Sequence, residues 1–192
     1  MLRKEKKVIE ILTNGRVVVM PTDTIYGILG NAFNKKTVVR IYSLKKRDRS
    51  KPCIILIGSI DEISKFGISL SRKQLLTAKR IWSLSYPTSI IFNYKKGESS
   101  NFNYLHKGTN SLAFRLPYTT SFKKFLIKTG PLLAPSANIE GMTPAKNIKE
   151  AKRYFKSSVY YYSGKKEMKG KNTKSSKIVK LDKNGRKIII RK

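Results

Sequence analysis

Two apolar runs in the chain, RVVVM (16–20) and GPLLA (130–134), stop at a proline, and each proline opens a cluster of small polar residues, PTDTIYG (21–27) and PSANIEG (135–141). Runs this short and this rich in Val and Leu read as buried strands rather than helices. Two further polar clusters adjoin apolar runs in the same way: LKKRDRSKP (44–52), between a helical pattern and CIILI, and FRLP (114–117), which closes SLAFRLP. Polar groups just beyond buried strands are where open α/β sheets hold their ligands. The chain is therefore constrained to a sheet whose strand ends carry chemistry.

The remaining pattern supplies helices between the strands. Residues 5–13 form a helical stretch ending near Asn14-Gly15, and Asn34 is placed to cap a helix through KKTVVRIYSLKKR (35–47). PCIILIG (52–58) is a second buried strand, followed by helices around 60–66 and 71–82. TSIIFNY (88–94) and SLAFRLP (111–117) are strands separated by the polar segment 95–110, read as a mobile loop. A short helix spans 121–128, and Asn147 with Glu150 marks a capping box for the helix NIKEAKRYF. SVYYYSG, SKIVKL and RKIII are closing strands, and the Lys-, Gly- and Ser-rich segment 163–177 is a linker or a flap. Strands and helices alternate without strict order, which predicts an α/β fold with a mixed, twisted sheet. The 192 residues suit a single domain over 1–192.

Composition narrows function less than it first promises. There are 42 Lys+Arg against 11 Asp+Glu, a formal net charge of +31. Such a surface attracts polyanions, yet the lysines are spread over the whole chain, so a plain compositional bias explains the excess equally well. The one cysteine, Cys53, lies in an apolar run, and the one histidine, His106, has no Cys or His companion. Cysteine-cluster metal sites and intramolecular disulfides are thereby excluded. No run approaches the ~20 apolar residues of a membrane span, so the expectation is a cytoplasmic protein without membrane attachment.

A phosphate-cradling loop of the G-x-x-x-x-G-K-[ST] type is absent, and so is G-x-G-x-x-G. Any triphosphate would be held by Arg and Lys side chains. There is no acidic cluster for two-metal catalysis, so no protein-bound metal is expected, and Mg²⁺ would arrive carried mainly by phosphates. Taken singly, PTDT and PSAN read as turns as readily as ligand loops, and KKRDRSK as a solvated helix end. Arg115, inside an apolar strand and two residues before Pro117, requires an anionic partner if it faces inward.

Together, in this order and at these spacings, the four clusters resemble the YrdC family of threonylcarbamoyl-AMP synthases. PTDTIYG is similar to the family's P-T-[DE]-T-x-Y-G signature. LKKRDRSKP resembles its K-x-R segment followed by Lys-Pro, here Lys45, Arg47, Lys51 and Pro52. SLAFRLP is similar to its arginine-bearing strand and GPLLAPSANIEG to its S-A-N element, and the resemblance runs from about residue 8 to 181. Glu140 stands where Ser is common in that element, and Lys177 where Thr is usual in the late SSKIVKL segment.

The resemblance implies a YrdC-like fold, a twisted open mixed β-sheet with helices packed on it and a central concave basic cleft. It also implies a reaction in which L-threonine, bicarbonate and ATP give threonylcarbamoyl-AMP and pyrophosphate, the first step towards threonylcarbamoyladenosine in tRNA. On that footing Lys45 and Arg47 are the expected catalytic cations, and Lys45, Arg47, Lys51, Ser136, Asn138 and Ser176 the expected ATP ligands. Thr24, Tyr26 and Arg115 would hold threonine. A downstream tRNA threonylcarbamoyl transferase complex is the implied partner. The competing reading is a basic RNA-binding module of the same fold without synthase activity.

Overall fold

The computed structural model describes residues 3–95, 100–164 and 174–192. Nine strands form one mixed sheet: β1 (Val18–Pro21), β2 (Tyr26–Asn31), β3 (Ile54–Leu56), β4 (Thr88–Asn93), β5 (Ser111–Arg115), β6 (Leu132–Leu133), β7 (Tyr160–Tyr161), β8 (Lys177–Leu181) and β9 (Lys187–Arg191). Their order across the sheet is β7-β1-β2-β6-β3-β5-β4-β8-β9. β1/β7, β3/β5 and β4/β8 pair in parallel, and the other neighbours run antiparallel.

Helices cover both faces, and strand alternation decides which residue meets which layer. Val18 and Met20 of β1, Leu29 of β2, Leu56 of β3 and Leu132 of β6 pack in one core with Val8 and Leu12 of α1 (Arg3–Thr13) and Phe122, Phe125 and Leu126 of α5 (Thr120–Thr129). Val19, Ile28, Ile55 and Leu133, one residue along on the same strands, point the other way. There they meet α2 (Lys35–Leu44), α3 (Arg72–Ser83), α6 (Ile148–Phe155) and a 3₁₀ turn over Ile60–Phe66, through Ile41, Trp82, Phe155 and Phe66. Each fully buried Phe or Leu in these layers contributes about 1.5–3 kcal/mol.

The helices begin where the sequence provides side-chain acceptors. Asn34 Oδ1 accepts from Thr37 N at 3.1 Å, and Ser71 and Gln74 form a reciprocal capping box on α3. Ser59 and Glu62 do the same for the 3₁₀ turn, which stops at Gly67 with φ of 73°. At α6, Asn147 Oδ1 accepts from Glu150 N, while the Glu150 carboxylate reaches back to Lys146 N and Asn147 Nδ2 rather than to the cap's own backbone.

Residues 26–31 form a strand that the sequence pattern does not assign, so PTDT is the tip of a β1–β2 hairpin. Two expectations are corrected. The helix after Asn34 stops at Leu44, with Lys45 as its C-cap. Within 95–110, residues 100–106 fold into a 3₁₀ turn (Ser100–Phe102) and α4 (Asn103–His106), with Leu105 and His106 buried, so this part is not a plain loop. The rest of that segment, 96–99, and 165–173 of the expected linker or flap lie outside the described residues. Among the described residues no helix is long and apolar enough to cross a membrane.

Candidate active site

The site is assembled from strand ends. Antiparallel pairing of β1 with β2 sets Pro21 opposite Tyr26 and leaves Thr22–Ile25 as a tight tip. Thr22 organises it: its Oγ1 donates to Ile25 O at 2.8 Å, accepts from Thr24 N at 3.2 Å, and lies 3.0 Å from Thr24 Oγ1. The PSAN segment runs alongside, with Ile28 N donating to Pro135 O and Ala137 N to Tyr26 O. A Cβ on Gly27 would lie 2.9 Å from Leu29 Cδ1 and 3.4 Å from Pro135 O, so a larger residue there would push the Leu29 side chain aside.

Arg115 ends β5 and points into this corner. Its Nη2 donates to Asp23 Oδ1 at 2.9 Å, with both side chains almost wholly buried, and Thr22 Oγ1 stands 3.5 Å away. The pair is only half satisfied, because Asp23 Oδ2 and Arg115 Nε have no hydrogen-bond partner. A charged pair in such a setting holds its geometry firmly and still has bonding capacity to offer.

Thr22, Thr24 and Tyr26, Arg115, Ser136, and the loop residues Arg47, Pro52 and Cys53 enclose a cavity of about 180 Å³. Ser175 and Ser176 just before β8, Ile178 within it and Arg191 at the end of β9 supply another part of its wall. Ser176 Oγ shares a 2.8 Å hydrogen bond with Ser89 Oγ, and Ser176 O accepts from Arg191 Nη2 at 2.7 Å. Partial desolvation lowers the Arg191 pKa from its ordinary value, with the Arg115 charge adding to the shift. Burial raises the pKa values of the Tyr26 phenol and the Cys53 thiol, so neither is poised to ionise. Three guanidinium groups and no carboxylate line this cavity, a charge distribution that favours anions. A larger cavity of about 760 Å³ shares the Thr22–Tyr26 tip and Ser175, and continues along Thr143–Asn147. Among the described residues no group of three or more His, Cys, Asp or Glu is gathered to hold a metal ion.

The sequence profile of the Sua5_yciO_yrdC family, described as "Telomere recombination", matches residues 10–192. The chain belongs to the Sua5/YciO/YrdC family. A threonylcarbamoyl-AMP synthase of Pyrococcus abyssi is 30% identical over 131 residues, 68% of this chain and 37% of that protein. One from Pseudoalteromonas translucida is 26% identical over 171 residues, 88% of this chain and 89% of the relative. The crystal structure of P. abyssi Sua5 complexed with L-threonine matches with a TM-score of 0.76 at 23% identity, over 93% of this chain and 51% of that one. That likeness is one of fold. The chain thus spans little more than a third of the P. abyssi synthase and most of the P. translucida one.

Of the residues singled out by their similarity to YrdC motifs, Thr24, Tyr26, Arg47, Arg115, Ser136 and Ser176 stand on the wall of the smaller cavity. Lys45, Lys51 and Asn138 do not. Lys45 is fully buried, and its Nζ donates to Ser136 O at 2.5 Å, Asn138 O at 2.6 Å and Asn138 Oδ1 at 3.2 Å. Those three acceptors take up all its donors. Desolvation lowers its pKa to about 8, which still leaves an ammonium at neutral pH. Asn138 is equally occupied: Oδ1 also accepts from Ser136 Oγ at 2.6 Å, and Nδ2 donates to Ile139 O and Met142 O. Lys51 pairs with Glu140 at 2.9 Å, and Glu140 Oε2 accepts from Asp48 N at 2.6 Å, so the two loops are clipped together. Arg47 donates to Lys51 O and Pro52 O from within its own loop.

Sequence reasoning missed Arg191 and Asp23. Arg191 carries no local signal, because it reaches the cavity only through the pairing of β9 with β8. Asp23 did carry one: it is an isolated carboxylate inside a signature whose neighbourhood is basic, and Arg115 needed a counter-charge.

Proposed function

We propose that the chain is an L-threonylcarbamoyladenylate synthase, forming threonylcarbamoyl-AMP and pyrophosphate from L-threonine, bicarbonate and ATP in the cytoplasm. The observation that carries the reading is the pairing of a small cavity, ringed by Arg47, Arg115 and Arg191, with a larger one across the Thr22–Tyr26 tip. About 180 Å³ suits a small amino acid, whereas about 760 Å³ falls within the ~300–1,000 Å³ typical of nucleotide-sized ligands. Arg115, fixed by Asp23, binds the threonine carboxylate. The Thr22–Thr24 hydroxyl pair meets the substrate hydroxyl, which is how threonine is told from valine.

The threonine amine attacks the bicarbonate carbon, an N–C bond forms, water leaves, and a carbamate results. A carbamate oxygen then attacks the α-phosphorus while the bond to the β-phosphate oxygen breaks and pyrophosphate departs. Every participant is an anion, so the side chains act by alignment and charge neutralisation. Arg47 and Arg191 line the smaller cavity, so they meet the triphosphate where it reaches from the larger cavity towards the amino acid, with Mg²⁺ carried on those phosphates as part of the nucleotide. Ser136 and Ser176 offer hydroxyls to the phosphates or ribose. Lys45 and Asn138 act through Ser136, whose loop they hold. Lys51 reaches ATP only by leaving Glu140. The product passes to a transferase that modifies tRNA.

The test is product formation. Incubation with ATP, threonine and bicarbonate, followed by mass spectrometry, should reveal threonylcarbamoyl-AMP. Its absence with folded protein and all three substrates present would overturn the assignment.

A further inference from the structure

The loop after α2 serves two concavities. Arg47 and Pro52 line the reaction cavity, while Arg49 lines a separate groove of about 640 Å³. Lys35 from the first turn of α2 and Lys107 from the end of α4 face the same groove, together with Tyr104, Asn101 and Asn103. Three cations from three different elements therefore converge on one concave surface that no carboxylate lines. Among the described residues none of the three is in an ion pair. The nearest acid in sequence, Asp48, turns its Oδ1 to the backbone N–H and hydroxyl of Ser50.

The arrangement is held rather than loose. Lys107 has a left-handed backbone, with φ of 53°, and its ammonium sits 4.5 Å from the centre of the Tyr42 ring. Its pKa is lowered, chiefly by burial, and Arg49 and Lys35 repel it further. The Tyr104 hydroxyl donates to Ala32 O at 3.1 Å, which fixes the ring. Bringing unpaired like charges together is unfavourable by itself, and a bound anion relieves it. A fixed aromatic ring and side-chain amides beside cations are the chemistry that receives a base next to its phosphate.

We infer that this groove is a second anion site, which takes the phosphate of a nucleotide unit on Lys35, Arg49 and Lys107 and offers Tyr104, Asn101 and Asn103 to its base. The unit is either a free nucleotide or one residue of an RNA strand. This site stands independently of the synthase reading.

The experiment uses the full chain, a fluorescent ten-nucleotide RNA and free AMP. Binding of the RNA is followed by anisotropy across a salt series for wild type, for Lys35→Gln/Arg49→Gln/Lys107→Gln, and for a charge-matched control, Lys4→Gln/Lys73→Gln/Lys124→Gln, whose side chains are exposed elsewhere. The groove variant should lose about 0.7 from the log–log salt slope, the share of one neutralised phosphate of a single strand, while the control keeps the wild-type slope. AMP that displaces the RNA from wild type and from the control variant, but not from the groove variant, identifies a free nucleotide as sufficient, and RNA binding that AMP leaves intact identifies the strand as the source. Should the triple variant fold poorly by circular dichroism, Arg49→Gln alone is expected to weaken RNA binding at low salt more than Lys73→Gln alone does. Equal losses in groove and control variants would overturn the proposal, since net charge alone would then account for binding.

Discussion

Arg115 and Asp23 form a buried ion pair at the wall of the proposed threonine site. Removing one partner of a buried pair leaves the other charge uncompensated and costs about 3–5 kcal/mol. Asp23→Asn should therefore lower unfolding free energy in urea by that order, and it should raise the threonine KM more than it lowers kcat, because Arg115 loses its fixed orientation. An unchanged KM in a folded variant would remove Asp23 from the positioning of Arg115. Thr24→Val should weaken threonine use much more than ATP use, and Arg47→Ala should do the reverse; steady-state kinetics with each substrate varied in turn separates them. At this scale much was legible. Similarity to the family's motifs marked Thr24, Tyr26, Arg47, Arg115, Ser136 and Ser176, and all six line one cavity. Arg191 was not legible, because its place depends on which strand β9 joins.

At the level of elements, helices and strands were both legible, with β2 and α4 the ones not foreseen. The helix caps at Asn34, Ser71 and Asn147 are local signals, satisfied within three residues. β2 was hidden because YGILGN holds two glycines and no clear alternation, and its strand character comes from pairing with β1 and β6. The α2 C-terminus and the PSAN loop are joined by Lys45, which looked like a phosphate ligand in sequence but has all its donors engaged by that loop. This link has a pH signature. The folded pKa of about 8 lies below the ~10.4 of a free lysine. Between those values the unfolded chain holds the extra proton, so the contribution of Lys45 to stability rises with pH across that window. Denaturant unfolding from pH 7.5 to 10 should show wild type gaining on Lys45→Met as pH increases. A constant difference would contradict the burial of a titrating ammonium.

Over the whole molecule, the net charge of +31 is a matter of self-repulsion as much as of binding. Screening shortens the reach of that repulsion from ~30 Å at 0.01 M salt to ~8 Å at 0.15 M. The melting temperature should accordingly rise with sodium chloride over this range, as differential scanning calorimetry would show, and a fall would mean that native ion pairs outweigh the repulsion. An α/β class with a mixed sheet was legible from alternating apolar runs, but the strand order was not. β6 has two residues and joins β2 to β3, with Leu133 pairing Gly30 from 103 positions away and Ile55 from 78, a pairing no local pattern announces. The cavity inherits the same limit, being built from segments that only the sheet brings together.

The most direct test of this account is pyrophosphate release from ATP and bicarbonate with threonine, serine, valine or no amino acid. The account predicts release that depends on threonine and is much weaker with valine, because a cavity walled by Thr22, Thr24 and Arg115 reads both the hydroxyl and the carboxylate. Release that is equal with valine, or absent with threonine while the folded protein still binds ATP, would contradict it.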